Sequence, residues 1–166
     1  MAVLTTEQAV RQRVSLLLNS LTTEGSQNAL SPIPARVVNL YPGSFVSWDA
    51  GCVGQLTVQI VSMSPVLGRA ASGIRMPCSV LYWNVVLDIK IFRCIAVVSS
   101  QGAAPNPLKI TNDGNQLLGD MSTMLRALTS FEWVSSIGDW IPVGPAGQMA
   151  GGSWTFTVQI DAIPCL

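Results

Sequence analysis

The chain contains no histidine and little charge of either sign: nine Lys and Arg face nine Asp and Glu, together 11% of the residues. Typical soluble domains carry about 25%. Without histidine there is no Ser–His or Cys–His nucleophile, no imidazole metal ligand and no imidazole acid–base step. The balanced charge, formally +0, also argues against tight hold on phosphate backbones, which takes clustered Lys and Arg. The basic residues that fall close together, Arg11/Arg13, Arg69/Arg75 and Lys90/Arg93, do not interleave with aromatic residues as in single-strand readers.

Other absences narrow the field further. Cys52, Cys78, Cys94 and Cys165 stand singly with no Cys-x-x-Cys pair, so buried free thiols are expected rather than disulfides or zinc. The longest apolar run, Val85–Val98, is broken by Asp88, Lys90 and Arg93, short of the roughly 18 uncharged residues of a spanning helix. Glu7 comes early and the run Leu16–Leu18 is too short for a signal-peptide core; synthesis in the cytoplasm and no membrane partner are expected. Ser153 is followed two positions later by Thr155, which breaks the nucleophile-elbow pattern. The glycines between Gly144 and Gly152 precede a strand, whereas a phosphate cradle opens a helix. Asp88 and Asp161 could approach as a carboxylate pair if their strands were neighbours, but solvated strand faces explain them more simply. No catalytic, cofactor or metal site is expected, and the chain reads as a non-enzyme.

What is present is apolar. Hydrophobic residues make up 49% and mean hydropathy is +0.43. At 166 residues the chain fits one domain over residues 1–166 with a core of its own. So neutral a monomer would tend to associate, which points to an oligomer subunit whose flanks are covered.

Periodicity predicts two helices. Over Thr6–Leu21, Val10, Val14, Leu17, Leu18 and Leu21 share one face, Thr5 or Thr6 can cap the start, and Gly25 follows the end. A second helix is predicted from Asn112 or Asp113, with Leu117, Met121, Met124, Leu125 and Leu128 as its stripe and Asn115, Asp120, Ser122 and Arg126 opposite. Alternation predicts strands at Val53–Ser62, Ser79–Val98 and Trp154–Ile163. In the longest of these Arg93 occupies an apolar slot and Phe92, Cys94 and Ala96 become the apolar set, a phase flip that predicts a bulge or bend after Ile91. A strand so long should project beyond the domain at one end. Weaker strands at Val37–Leu40 and Phe45–Trp48 flank Tyr41-Pro-Gly-Ser44, a type II turn sequence. Ser64–Pro77 and Ser99–Lys109 read as long connectors, a kind often functional. The sum is an α+β domain, a mostly antiparallel β-sheet with two helices packed on one face.

Two Pro, four Gly and two Trp crowd the stretch from Trp140 to Trp154. It reads as a loop whose shape is fixed by backbone geometry and which offers apolar rings without charge. Trp83 and Trp154 fall in predicted strands and read as packing. Trp48, Trp133 and Trp140 lie near turns, where a tryptophan is either a lid over its own core or an interface anchor.

The segment Cys52-Val-Gly-Gln-Leu56 ahead of a strand, then Trp140-x-Pro-x-Gly-Pro-x-Gly147 leading to Gly151-Gly-x-Trp154 and a closing strand, resembles head-to-tail connector proteins of long-tailed phages infecting actinobacteria. Within that group it is most similar to tail terminators. The resemblance implies a ring-forming, tail-terminator-like subunit in the virion neck. Six copies close on the last tail-tube ring, stop tube growth and join the head-completion (stopper) protein, and DNA passes through the lumen without sequence-specific binding. It transfers no catalytic residue. On this reading the sheet edges, Arg69 and Arg75 of the Ser64–Pro77 arm, and Trp140, Pro142, Pro145 and Met149 of the loop are the expected interface. A stopper or tube-like neck protein, a small-molecule-binding module and, remotely, a carboxylate-pair hydrolase are the alternatives.

Overall fold

The computed structural model describes residues 5–41, 52–68 and 80–161. Within them the order is α1 (Thr6–Thr22), β1 (Arg36–Tyr41), β2 (Gln55–Leu67), β3 (Val80–Cys94), α2 (Pro107–Thr129), β4 (Val134–Ala146) and β5 (Met149–Asp161). The predicted turn beyond Tyr41, the strand at 45–48, Trp48, Cys78 and Cys165 lie outside the described residues.

α1 forms as its sequence dictates. The Thr5 side chain accepts from the Gln8 N–H and the Gln8 side chain accepts from the Thr5 N–H, a reciprocal capping box. The five residues expected on its apolar face, Val10, Val14, Leu17, Leu18 and Leu21, are its buried ones. Gly25 follows at φ 86, where a side chain would be strained.

α2 starts earlier than predicted. Asn106 caps it through its Oδ1, which accepts from Leu108 N–H at 2.9 Å. Pro107 breaks a helix interior, but in the first turn its missing N–H costs nothing. Asp113, predicted as a cap, instead accepts from Ala96 N–H at 2.6 Å, tying the helix to the chain leaving β3.

The sheet has five strands in the order β1-β2-β3-β5-β4. Every pairing is antiparallel except β1 with β2. Successive strand residues face opposite sides. Leu56, Val58, Val85, Leu87, Ile89, Ile91, Trp154, Phe156, Val158 and Ile160 therefore share one face, where they pack with the buried residues of both helices. The architecture is α+β, with a mostly antiparallel sheet and two helices on one side. On the opposite face of β2, Gln55, Thr57 and Gln59 are also buried, and Gln55 Nε2 donates to Thr57 Oγ1 at 2.8 Å.

The predicted phase flip after Ile91 does not occur. β3 pairs with β5 without a register break from Tyr82↔Asp161 to Cys94↔Met149. Arg93 stays on the helix face as a buried ion pair. Its Nε donates to Asp120 Oδ2 at 2.8 Å and its Nη2 to Asp120 Oδ1 at 2.7 Å, while Nη1 donates to the Pro32 carbonyl at 2.6 Å. The two side chains are 6% and 2% exposed. Asp120, predicted on the polar side of α2, is thus buried one turn from Met124. Phe92 and Cys94 look apolar because the opposite face carries a second cluster, Phe92 and Met149 with Tyr41, Cys52 and Val143 packed against them.

Removing one member of a buried pair strands the other charge. Asp120→Ala is expected to cost about 3–5 kcal/mol in urea denaturation, and Arg93→Met combined with Asp120→Leu to recover most of it. An Asp120→Ala protein as stable as the parent would show that the pair carries no such burden.

Candidate functional site

The proline- and glycine-rich stretch at 140–152 is not a loop. It is the distal half of a β-hairpin: β4 runs to Ala146 and β5 starts at Met149. β4 escapes recognition because its inward residues recur every third position, with Val134, Ile137, Trp140, Val143 and Ala146 half-buried between exposed pairs. Three register shifts against β5, at Val134/Ser136, Ile137/Trp140 and Val143/Ala146, each absorb one extra residue. These are β-bulges, and they convert a period of three into a usable strand. Pro142 and Pro145 are tolerated because β4 is the sheet's edge.

The glycines answer to close backbone approach. A Cβ on Gly151 would collide with the Ile91 carbonyl of β3, and one on Gly152 with the Trp140 ring, which lies across it. Trp140 sits opposite Trp154 in the ladder, with ring centroids 5.6 Å apart and tilted. Trp154 Nε1 donates to the Met121 carbonyl of α2 at 3.2 Å. Trp140 is thus a half-buried lid over its own core. Trp133 stacks on Phe131 at 4.7 Å and packs on the same core. Of the remaining residues expected at an interface, Pro142 and Pro145 are exposed beside the exposed Ile141, and Met149 is buried at 3%. Arg69 and Arg75 lie outside the described residues.

Cys52 and Cys94 form a disulfide with Cα atoms 5.2 Å apart, against the expectation of free thiols. Their spacing in sequence gives no hint of it. Cys94 ends β3 on the face opposite the helices, and the chain entering β2 brings Cys52 alongside at φ 58.

An exposed apolar surface lies at the other end of the sheet. β1 pairs only with Gln55–Gln59 of β2, so beyond Gln59 the outer edge of β2 has no strand neighbour among the described residues. Residues 62–67 of β2 pair with 80–86 of β3, and β3 is flanked on its other side by β5 as far as Tyr82. The expected projection of this long strand beyond the domain therefore does not occur: β3 is central in the sheet, and it is the outer flank of β2 that is left bare. β2 runs through Pro65, inside the predicted Ser64–Pro77 connector. Two bulges interrupt the β2–β3 ladder here, one at Ile60/Ser62 and one at Val66/Leu67. The residues they leave over, Val61 and Leu81, are 52% and 59% exposed, and Met63 and Leu67 are 41% and 44% exposed. Neither residues 62–67 nor residues 80–86 include a charged side chain. This surface was legible only in part: its signal is a charge-free stretch from Ile60 to Gly68 in which Ile60 and Val61 break the alternation.

Beside this edge a groove of about 480 Å³ is lined by Val10, Leu40, Tyr41, Ile60, Met63 and Trp83, with Glu7 and Arg11 at its rim. Those two side chains pair at 2.6 Å and leave the rim neutral. Arg13, one turn of α1 away, donates to the Gln159 carbonyl and lies 5.7 Å from the Trp133 ring centroid. Burial holds its pKa below the ordinary arginine range, a shift that the charge of Asp161 only partly opposes.

No protein-family model matches the chain, and no curated protein matches it either. Functional argument therefore rests on this surface. The described residues contain no group of three His, Cys, Asp or Glu side chains placed to hold a metal. Asp88 stands opposite Thr155 and Asp161 opposite Tyr82, six strand positions apart or roughly 20 Å. Glycoside hydrolysis needs its carboxylates within about 10 Å, so this pair does not supply that chemistry. Among the described residues no helix is long and apolar enough to cross a membrane.

Gly151→Ala is expected to lower stability by about 3 kcal/mol or more, because the β3–β5 ladder must open for its methyl group. Gly147→Ala, with open space around it at φ +60, should cost only about 1–2 kcal/mol. Equal losses for the two in chemical denaturation would show that close packing at Gly151 is not what demands glycine.

Proposed function

We propose that this protein is a structural subunit of a phage neck, a tail terminator whose copies close into a ring on the tail tube and join it to the head connector. The observation that carries the reading is the uncharged outer edge of β2 over residues 60–67, with exposed Val61, Met63 and Leu67 and, on β3 beside it, exposed Leu81. An open strand edge offers its unpaired backbone groups to another chain, and burying what remains exposed of these side chains is worth about 1 kcal/mol each. A ring supplies such cover. It requires two unlike patches on each subunit, and the sheet offers two unlike edges, the bare flank of β2 and the bulged, proline-bearing β4 with Ile141 exposed at 55%. The α+β architecture agrees with the one that the resemblance to tail terminators implies. Six copies, the tube and stopper partners, DNA passage through the lumen and a place in the virion after cytoplasmic assembly follow from that resemblance. On this reading the protein performs no catalysis and carries no cofactor.

Mass measurements across a concentration series are expected to show six-membered rings, and negative-stain images to show one or a few rings rather than long tubes. Long cylinders would assign the chain to the tube itself. A strict monomer under every condition would overturn a self-closing ring. Val61→Asp and Leu81→Asp alter exposed bulge residues and should leave folding intact. Each should raise the concentration needed for ring formation by about thirtyfold or more, as loss of an interface hot spot does.

The groove between α1 and the edge of β2 supports a second reading, a small-molecule-binding module, since its volume and apolar lining fall within the range of ligand pockets. A ligand-induced rise in melting temperature with no oligomer formation would favour it over the ring.

A further inference from the structure

The second cluster draws together stretches far apart in sequence: the end of β1 at Tyr41, the approach to β2 at Cys52, the end of β3 at Phe92, and both arms of the β4–β5 hairpin at Val143 and Met149. It lies on the face opposite the helices and is separate from the main core. The hairpin turn is fastened to it by one backbone bond, Ile95 N–H to the Gln148 carbonyl at 2.9 Å. The Cys52 Sγ lies 3.5 Å from that same carbonyl oxygen. Cys94 is exposed and Cys52 half-buried, so the disulfide is open to small thiols in solution.

We infer that Cys52–Cys94 is a redox lock on the tip of the β4–β5 hairpin, with a folded state on either side of the reaction. Oxidised, the bond holds Cys52 against the end of β3 and keeps the five-residue cluster closed over the turn. Reduced, the Cys52 thiol can donate to the Gln148 carbonyl instead. The main core, held by both helices and the Arg93–Asp120 pair, does not depend on the bond, so the effect stays local. The oxidant is a low-molecular-weight disulfide of the glutathione type. The Cys94 thiolate, the more accessible, attacks one of its sulfurs and releases one small thiol, leaving a mixed disulfide on Cys94. The Cys52 thiolate then attacks the Cys94 sulfur and releases the second small thiol. Two cysteine thiols are oxidised, one small disulfide is reduced to two thiols, and the two protons leave with those thiols. The tip carries Pro142 and Pro145, so the lock acts on the surface expected to dock. The inference itself stands whether or not the chain works in a phage neck.

Hydrogen exchange read by mass spectrometry on the full chain, oxidised with glutathione disulfide or reduced with dithiothreitol, tests it. Reduction is expected to speed exchange by about tenfold or more at residues 142–150 and 52–54, as local opening does. Residues 85–91 should stay protected over the labelling time in both states. Cys94→Ser should exchange like the reduced protein with or without dithiothreitol. Peptide mapping without reductant should recover Cys52 joined to Cys94. Identical exchange in the two states would overturn the lock, as would pairing of either cysteine with Cys78 or Cys165. Loss of protection throughout the core on reduction would make the bond a general staple and overturn it too.

Discussion

The fork between Arg93 and Asp120 sets the frame for the rest of this molecule. A guanidinium and a carboxylate, both almost fully shielded from water, hold only if strand and helix meet in one register. The pair fixes α2 across the end of β3, and the third bond from Arg93 to the Pro32 carbonyl draws in the segment between α1 and β1. One residue further along, Cys94 points to the other side of the sheet and is joined to Cys52. Both faces of this end of the sheet are therefore closed within a single dipeptide.

Among the described residues the opposite end has nothing comparable. α1 begins at Thr6, and its first turns cover the sheet only as far as the groove beside Met63 and Trp83. Past that point β3 stays paired with β2 on one side and, as far as Tyr82, with β5 on the other, but the side chains of β2 are exposed on both faces. A strand gains from its ladder hydrogen bonds, but its hydrophobic share goes unrealised until another surface arrives. The molecule is thus polarised along its strands, with a closed end that defines the fold and a bare end that awaits cover.

Sequence patterns revealed the parts of this arrangement that obey a single periodicity. The apolar face of α1 was legible residue by residue because the helix packs on one layer and nothing competes for its other side. The alternation of β2, β3 and β5 was legible for the same reason. The failures share one physical cause, a pattern broken in one element and completed in another. Arg93 looked like a phase change and Asp120 like a surface residue, and neither makes sense until the two are brought together from different elements. β4 hid behind its bulges, since an extra residue at three places turns alternation into a period of three that matches no regular structure. The disulfide was invisible because single cysteines carry no spacing signal. Of the residues expected at an interface, Trp140 and Met149 pack within their own chain, whereas Pro142 and Pro145 are exposed near the hairpin tip.

The low charge of the chain acquires a more specific meaning from this geometry. Among the described residues the two most buried charges are spent on each other inside the fold, Glu7 and Arg11 neutralise one another at the groove, and Lys90 lies 3.5 Å from Asp88 on the outer sheet face. The stretch of β2 from Ile60 to Leu67 has no charge at all. A free monomer under pressure to stay soluble would place charges on such an edge, because an open strand flank invites pairing with another chain. β4 meets that need by bulges and prolines, whereas β2 beyond Gln59 has Pro65 but no charge to keep neighbours away. An edge left this permissive beside one that is guarded fits a subunit that admits a neighbour on one side only, and a heterologous contact of that kind closes into a ring when the rotation between neighbours divides the circle.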